Sequence, residues 1–512
     1  MCVRKAFLYL VFTSLMKFSL QQKKPHIIMI VADDLGWNDV SFHGSQQIPT
    51  PNIDKLAQSG IILNNYYVLP ICTPTRSAIM TGRYPIHTGM QHGVIHGPSP
   101  WGVDLNETFL PELLKAQGYS THAIGKWHLG FFAKEYTPTY RGFDTFYGYY
   151  NGKSDYWDHS TESLFWGLDL HKNEKAVFNQ WGNYSTEIFT TEAETCIKNH
   201  NTSEPLFLYL AYQAVHSANQ HDPLQAPQSW IDKFKHISDE NRRKYAAMVA
   251  YMDFGVGRVY EALLQKGMLE NSIIVFTSDN GGPANGFDLN WASNFPLRGI
   301  KRTLYEGGVR AAGFIHSKLL KSPGRVSMDL MHVTDWLPTF VNLAGGSVKP
   351  NNPLDGVNQW ETLQNMVPSS RKEVLLNMVD NSTGALRMGD WKILLEVMPQ
   401  GKYWDGWYAP PQVQNKELVE KMFVDASVQC GEVPENVTHC TKEHGYCLFN
   451  IKEDPCEYHD LSKEYPDIFK QMLSRLDEYR KTMVPPRNKN IVDPLSNPKL
   501  HNGVWQPWVK LS

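Results

Sequence analysis

His26-Ile27-Ile28-Met29-Ile30-Val31-Ala32 runs without interruption into Asp33-Asp34, and Ile273-Ile274-Val275-Phe276-Thr277-Ser278 runs the same way into Asp279-Asn280-Gly281-Gly282. Short apolar runs that end in polar punctuation mark strands buried on both faces, the condition of strands in a parallel sheet. Further candidate strands at residues 120–124 and 206–212 alternate with helical patterns at 53–59, 108–117 and 245–265. This rhythm predicts an α/β fold with a large, mostly parallel central sheet flanked by helices. Beyond residue 370 the candidate strands shorten, at 373–378, 385–388, 391–396 and 447–449, and a helix is expected at 465–483. The expected organisation is a leader at 1–22, a large domain at 23–370 and a smaller C-terminal α+β domain at 371–512. The Pro- and Asn-rich stretch 349–358 reads as a surface loop at the boundary, and the tail from Pro485 carries too much Pro and Asn for a regular element.

In a parallel sheet the C-terminal strand ends open on one crevice, where ligands usually bind. Asp33 and Asp34 from one strand, with Asp279 and Asn280 from another, offer an all-oxygen shell suited to a hard divalent ion, calcium or magnesium, rather than zinc. One such pair alone is more often a turn or a helix cap; recurrence after two matched strands points to a metal. In Gly125-Lys126-Trp127-His128-Leu129-Gly130, Lys126 and His128 fall on one side if the backbone stays extended, and His216 follows the 206–212 segment. Basic groups beside a metal can neutralise an oxyanion and protonate its leaving group. Lys301, in Leu297-Arg298-Gly299-Ile300-Lys301-Arg302, reads by itself as a solvated loop lysine.

Cys72-Thr73-Pro74-Thr75-Arg76 precedes a helix expected at Ser77-Ala78-Ile79-Met80 and the turn Thr81-Gly82-Arg83. A thiolate at a helix start, with a cation one turn on, is stabilised there, and the same surroundings suit sulfate or phosphate. A buried, inert thiol is the competing reading.

A net charge of -3, from 49 Lys and Arg against 52 Asp and Glu, leaves no cationic excess to displace counterions from nucleic acid. Arg4 and Lys5 precede the uncharged run 6–16, too short to span a bilayer but long enough for the core of a secretory signal peptide. No later segment has the apolar length of a membrane span. Sequons at Asn106, Asn183, Asn201, Asn381 and Asn436 fit the same route. Of the 7 cysteines, Cys2 lies in the leader and Cys72 at the helix start, while Cys196 stands alone. Cys430, Cys440, Cys447 and Cys456 crowd near the C-terminus, where one or two short disulfides suit an oxidising compartment. Spacing leaves their pairing open. A four-cysteine zinc site is the alternative, though no gap among them is Cys-x2-Cys.

Cys72-Thr-Pro-Thr-Arg76 with Thr81-Gly-Arg83, Ala32-Asp-Asp-Leu-Gly36, Gly125-Lys-Trp-His-Leu-Gly130 and Ser278-Asp-Asn-Gly-Gly282 together resemble the type I sulfatases, and most closely the arylsulfatase B, I and J group. The resemblance runs from Pro25 to the tail Gly503-Val-Trp-Gln-Pro-Trp508. It implies an alkaline-phosphatase-like sulfatase fold with 23–370 as catalytic domain, and hydrolysis of sulfate monoesters. It also implies that Cys72 is oxidised to Cα-formylglycine by a formylglycine-generating enzyme, and that the hydrate is the nucleophile. One calcium ion would be held by Asp33, Asp34, Asp279, Asn280 and the modified Cys72. Arg76, Lys126 and Lys301 would hold sulfate and the formylglycine oxygen, while His128 and His216 move protons. The family pattern is Cys-x-Pro-Ser-Arg, and Thr75 departs from it by keeping the hydroxyl and adding a methyl.

The substrates so implied are sulfated amino sugars of glycosaminoglycans, such as N-acetylgalactosamine 4-sulfate, cleaved in the lysosome or outside the cell. His92, His96, Trp101 and Trp291 are the rim candidates for a sugar ring. Two other classes share part of the pattern. A metal-dependent phosphatase or phosphodiesterase would use Ser or Thr and often a second metal. A secreted glycan-binding protein would keep the fold with Cys72 as a thiol.

Overall fold

Strands His26–Ala32, Leu206–Ala211 and Ser272–Ser278 are buried from end to end. Alternate side chains explain why: Ile28 and Ile30 enter one core, while Ile27, Met29 and Val31 enter another on the opposite face. A strand with a core on each side has few positions for a polar residue, which produces the long apolar run; polar exceptions at the strand end, Thr277 and Ser278, are hydrogen-bonded. The computed structural model describes residues 23–347, 351–380, 383–396, 404–411, 426–489 and 491–511. The leader at 1–22, with Cys2, Arg4, Lys5 and the 6–16 run, lies outside the described residues, as do Asn381 and positions 349–350 of the expected boundary loop.

The central sheet has ten strands, in the order Arg325–Ser327, Ile61–Leu63, Gly313–His316, Ser272–Ser278, His26–Ala32, Leu206–Ala211, Ser120–Lys126, Thr145–Tyr149, His171–Lys172 and Lys175–Ala176. Its middle is parallel from Ser272–Ser278 through Thr145–Tyr149, and Gly313–His316 runs antiparallel beside it. Register decides the chemistry. Ala32 pairs with Ser278, and Ala211 pairs with Gly125, so the residues that follow these strands emerge at one edge. Gly125, at φ 97°, allows the close approach, because a Cβ there would lie 1.8 Å from the Ala211 carbonyl oxygen.

Helix Glu240–Gln265 starts five residues before the periodicity suggested, capped by Asp239, whose carboxylate accepts the Arg242 N–H at 2.8 Å. Helix Cys72–Thr81 starts at Cys72 itself rather than at Ser77. Pro74 marks a break only if it sits inside a helix; in the first turn its missing N–H costs nothing. The strands Ile61–Leu63, Gly313–His316 and Arg325–Ser327 were not foreseen, being too short for a period-2 signal.

The C-terminal residues form an antiparallel sheet, Glu373–Asp380, Thr383–Met388, Trp391–Leu395 and Cys447–Asn450, packed against helix Pro466–Thr482. Cys430 is bonded to Cys456 and Cys440 to Cys447, which removes the four-cysteine zinc site. Lys392 of this sheet reaches Glu306, in the short helix Glu306–Val309, at 2.9 Å and Glu457 at 2.7 Å with all three side chains fully buried. Among its described residues the tail past Pro485 makes only the short turns Pro494–Ser496 and Pro498–His501 as helical elements, then returns to residues 161–168. Trp505 is fully buried there, donating its indole N–H to the Thr161 carbonyl at 3.0 Å. No helix among the described residues is long and apolar enough to cross a membrane.

Glu396, at the end of this sheet, accepts the Leu304 N–H at 2.5 Å. Burial above all, with Asp405 nearby, pushes its pKa up from 4.5 to about 8. The fold therefore favours the protonated acid, so this stability is fully present below 4.5 and is lost as pH rises toward 8. Glu396→Gln keeps the shape without the charge. Thermal unfolding measured from pH 5 to 8 is expected to show a steeper fall for the wild type than for this variant; parallel curves would contradict the burial of this acid.

Candidate active site

Asp33 and Asp34 leave the end of their strand beside Asp279 and Asn280, as the register requires, and all four are inaccessible to solvent. Asp34 sits at φ 62°, a left-handed conformation. That turn lets its N–H donate to Asp279 Oδ1 at 3.2 Å while its own Oδ1 accepts from Asn280 Nδ2 at 2.6 Å. The 213–216 loop is tied to the same strand end by Asp33 N–H to Ala214 O at 2.9 Å and Val215 N–H to Asp33 O at 2.7 Å. Asn290 clamps both, donating to the carbonyls of Asp34 at 3.2 Å and Val215 at 2.9 Å.

Each acid meets a cation. Arg76 donates two hydrogen bonds to Asp279 Oδ2, at 3.0 and 2.8 Å, and lies 3.6 Å from Asp33. Lys126 Nζ reaches Asp33 at 2.6 Å, and Lys301 Nζ reaches Asp34 at 2.8 Å. Lys301 is thus no solvated loop residue; it is 2% exposed. It also contacts Asp288 at 2.9 Å and His216 Nε2 at 3.2 Å. The His216 Nδ1 proton goes to the Ser217 carbonyl at 2.7 Å, which leaves Nε2 to accept from Lys301. The backbone does not stay extended to His128, which lies at φ 58°. His128 nevertheless reaches the crevice, donating from Nε2 to Ile95 O at 3.0 Å and leaving its buried Nδ1 without a partner among the described residues.

Pairing does not fully offset the cost of burial. Burial, then repulsion from Asp279, holds Asp33 well above the ordinary carboxylate range despite Lys126 and Arg76. Burial likewise raises Asp34 against the pull of Lys301. Burial also acts to raise Asp279, but Arg76, Lys126 and Lys301 together hold it below the ordinary value. Crowded acids that three cations do not satisfy favour a further positive charge. In the same cluster Asn280 Oδ1 is buried without a hydrogen-bond partner among the described residues. An oxygen-rich set with an orphaned amide oxygen fits a hard divalent cation, and Asp33, Asp34, Cys72 and His216 offer ligand atoms within 4.8 Å of one another.

Cys72 Sγ lies 3.8 Å from Asp33 Oδ1. The helix start does not yield a thiolate: burial pushes the Cys72 thiol up and outweighs Lys126 and Lys301. Thr75, the departure from the family pattern, has its hydroxyl engaged, accepting the Leu69 N–H at 3.0 Å and donating to Leu69 O at 3.3 Å. Both bonds need only the hydroxyl, which Ser and Thr share.

A cavity of about 490 Å³ opens above this floor, with Cys72, His128, His216 and Lys301 exposed to it. Asp33, Asp34, Arg76, Lys126, Asp279 and Asn280 stand behind them. Of the rim candidates, His96 lines the cavity. Trp101 instead lines a separate groove near Arg487, Trp291 packs against the core and His92 is exposed elsewhere. Asp288, Asn290 and the hairpin residues Glu162 and Leu164 escaped the sequence reading, because single polar residues in loops carry no periodic or motif signal.

Acids and cations concentrated at the C-terminal edge of a parallel sheet, under a cavity with a nucleophile position, define a hydrolase of anionic esters. The chain belongs to the sulfatase family, whose model, described as Sulfatase, matches residues 25–347. It is 42% identical to Arylsulfatase J of Mus musculus over 95% of this chain and 81% of that protein. It is 27% identical to N-acetylgalactosamine-6-sulfatase of Mus musculus over 90% of this chain and 87% of that one. The crystal structure of Ps i-CgsB in complex with k-i-k-neocarrahexaose superposes with a TM-score of 0.74 at 32% identity, covering 91% of this chain and 94% of that chain. The fold is the alkaline-phosphatase-like sulfatase fold, and the protein is a sulfuric ester hydrolase.

Asp279→Asn preserves the shape of the side chain but removes its charge. Elemental analysis after dialysis is expected to find one divalent cation per wild-type chain and a clear loss in the variant, with the far-ultraviolet dichroism unchanged. Equal metal content in both proteins would contradict the assignment of this cluster.

Proposed function

We propose that the protein hydrolyses sulfate monoesters on sulfated amino sugars of glycosaminoglycans, such as N-acetylgalactosamine 4-sulfate, with Cys72 converted to Cα-formylglycine by a formylglycine-generating enzyme. The observation that carries this reading is the position of Cys72, at the cavity floor 3.8 Å from Asp33 and surrounded by the acid and cation cluster. A thiol raised by burial is a poor nucleophile there, whereas an aldehyde hydrate brings two hydroxyls. The family generally uses a formylglycine-modified cysteine and a divalent metal. Calcium is the proposed ion, held by Asp33, Asp34, Asp279, Asn280 and the modified Cys72; when bound it polarises sulfuryl oxygens and favours an ionised hydroxyl.

One hydroxyl of the hydrate, its proton released to solvent, attacks sulfur, and the bond from sulfur to the sugar oxygen breaks. Arg76, Lys126 and Lys301 hold the sulfate oxygens and the formylglycine oxygen. The departing oxygen takes its proton from His216 Nε2, which gains one from solvent once sulfate draws the Lys301 ammonium away from it. Burial, then Lys301 and Lys126, keeps His216 neutral in the anion-free site, and a sulfate that pairs with Lys301 removes part of that repulsion. His128, with Nδ1 free of other partners among the described residues, takes the proton of the second hydroxyl. The aldehyde re-forms as the bond to sulfate breaks, sulfate leaves, and water restores the hydrate. A serine ester would lack that second hydroxyl and could not eliminate sulfate this way.

In this scheme residues 23–370 carry the chemistry and 371–512 form the smaller domain. The secretory route, to the lysosome or the extracellular space, is supported by the two disulfides and by the exposure of the sequon residues Asn106, Asn183, Asn201 and Asn436.

When the protein is coexpressed with a competent modifying enzyme, peptide mass spectrometry with carbonyl trapping is expected to find formylglycine at position 72 in a substantial fraction of chains. Unmodified cysteine alone would leave a folded glycan-binding protein and end the enzymatic proposal. His216→Ala is expected to slow release of sugar alcohols more than release of an activated phenol, since a good leaving group needs less protonation. Rapid-quench kinetics with both substrates read the difference, and equal impairment would remove the acid role from His216.

A further inference from the structure

The hairpin of strands Ser160–Ser163 and Phe165–Leu168 turns at Leu164 and forms part of the cavity wall through Thr161, Glu162, Ser163 and Leu164. Its tip is unusual. Leu164 is 70% exposed and Trp166 60% exposed, both in a protein with ample core in which to bury them. Cross-strand register pairs Glu162 with Trp166, so the two side chains share one face with Cβ atoms about 5 Å apart. Glu162 lines the cavity, and Trp166 stands one strand further out. A chain leading out of the cavity over this wall would meet the carboxylate first and the indole next.

The platform is fixed from behind. Trp166 donates its indole N–H to Ser160 Oγ at 3.0 Å, which orients the ring. The backbone N–H of Glu162 donates to Asn219 Oδ1 at 3.0 Å, and Ser163 Oγ accepts the Gly97 N–H at 3.1 Å. Phe165, on the other face, packs against the buried Trp505, and the Leu168 N–H donates to Gly503 O at 2.8 Å. A rigid aromatic surface loses little entropy when a ligand stacks on it. The hairpin sequence Ser-Thr-Glu-Ser-Leu-Phe-Trp-Gly-Leu holds one acid and no base, and Glu162 makes no ion pair among the described residues.

We propose that Glu162, Leu164 and Trp166 form a subsite for the sugar that adjoins the sulfated one, and that this sugar is an uncharged pyranose. Its apolar C–H face stacks on Trp166, and its hydroxyls donate to Glu162. A uronate in the same place would set its carboxylate against Glu162: the hairpin holds no cation, and the lysines that line the same cavity, Lys153 and Lys301, already act on Asp288. The inference rests on the sulfated-sugar reading of the cavity and narrows it to chains in which the neighbouring ring is neutral.

Two matched sulfated oligosaccharides test it, alike at the sulfated sugar and differing in whether the adjoining ring is a hexose or a uronate. After modification of Cys72 has been verified, wild type is expected to favour the neutral chain in kcat/KM. Trp166→Ala should lower kcat/KM on that chain about ten-fold while leaving a small aryl sulfate unchanged, and Trp166→Phe should keep most of it. Glu162→Gln should narrow the gap between the two chains. Equal losses on aryl sulfate and oligosaccharide, no loss on either, or a wild-type preference for the uronate would overturn the subsite. Calorimetric titration with the desulfated neutral oligosaccharide needs no turnover: weaker binding by Trp166→Ala supports the subsite, and no binding by wild type or equal binding by both overturns it. A modified enzyme that cleaves no sulfate ester would instead defeat the proposed function, with the hairpin still judged by the titration.

Discussion

Asp33, Asp34 and Asp279 lie side by side without solvent, and the rest of the molecule is arranged around making that possible. Buried carboxylates repel one another strongly and lose hydration, so each must find a cation or a donor or else become protonated. Arg76 comes from a helix, Lys126 from a strand end and Lys301 from a loop, and each ends on one of the acids. That these partners come from three separate elements means the site exists only when the sheet, helix and loop are all in register. The compensation is incomplete, as the raised Asp33 and Asp34 show. The residual demand for positive charge is the physical basis for a metal in this crevice.

The same constraint shapes the surrounding backbone. Left-handed conformations at Asp34 and His128, and the bare Gly125 against the Ala211 carbonyl, are local concessions that bring polar ends together. They are tolerated because hydrogen bonds overdetermine the loops: Asp33 exchanges backbone bonds with Ala214 and Val215, and Asn290 closes the bundle from a third segment. The C-terminal sheet belongs to this architecture as well. Its Lys392 is fixed to Glu306, whose short helix Glu306–Val309 follows the loop bearing Lys301.

Much of this was legible in the chain. Strands buried on two faces announce themselves as unbroken apolar runs, and the polar residues at their ends mark the crevice, so Asp33, Asp34, Asp279 and Asn280 could be located before any coordinates. Lys301 could not be placed by periodicity, because a loop lysine looks the same whether solvated or paired; only the family resemblance singled it out. The helix start at Cys72 was misjudged because Pro74 reads as a break until it is known to lie in the first turn. The expected thiolate failed for a different reason: local sequence shows the helix terminus and the arginine, but not the burial that outweighs them. Trp101 and Trp291 are aromatic and near the right motifs, yet nothing local reveals that they face a separate groove and the core.

Floor and rim of the cavity obey different physics. Floor residues are locked by charge, so replacing any one of them leaves a buried partner uncompensated, and the arrangement has little freedom to vary. Glu162, Leu164 and Trp166 are exposed and carry no such debt; they can change without cost to the charge cluster. The charge-locked floor therefore constrains the reaction, whereas the hairpin is free to vary, as the proposed subsite requires. The tail makes this division structural: Trp505 and Gly503 come from the far end of the chain to brace the hairpin, not the acids. If the hairpin is the proposed sugar subsite, substrate choice is coupled to a segment that lies outside the 25–347 region matched by the family model.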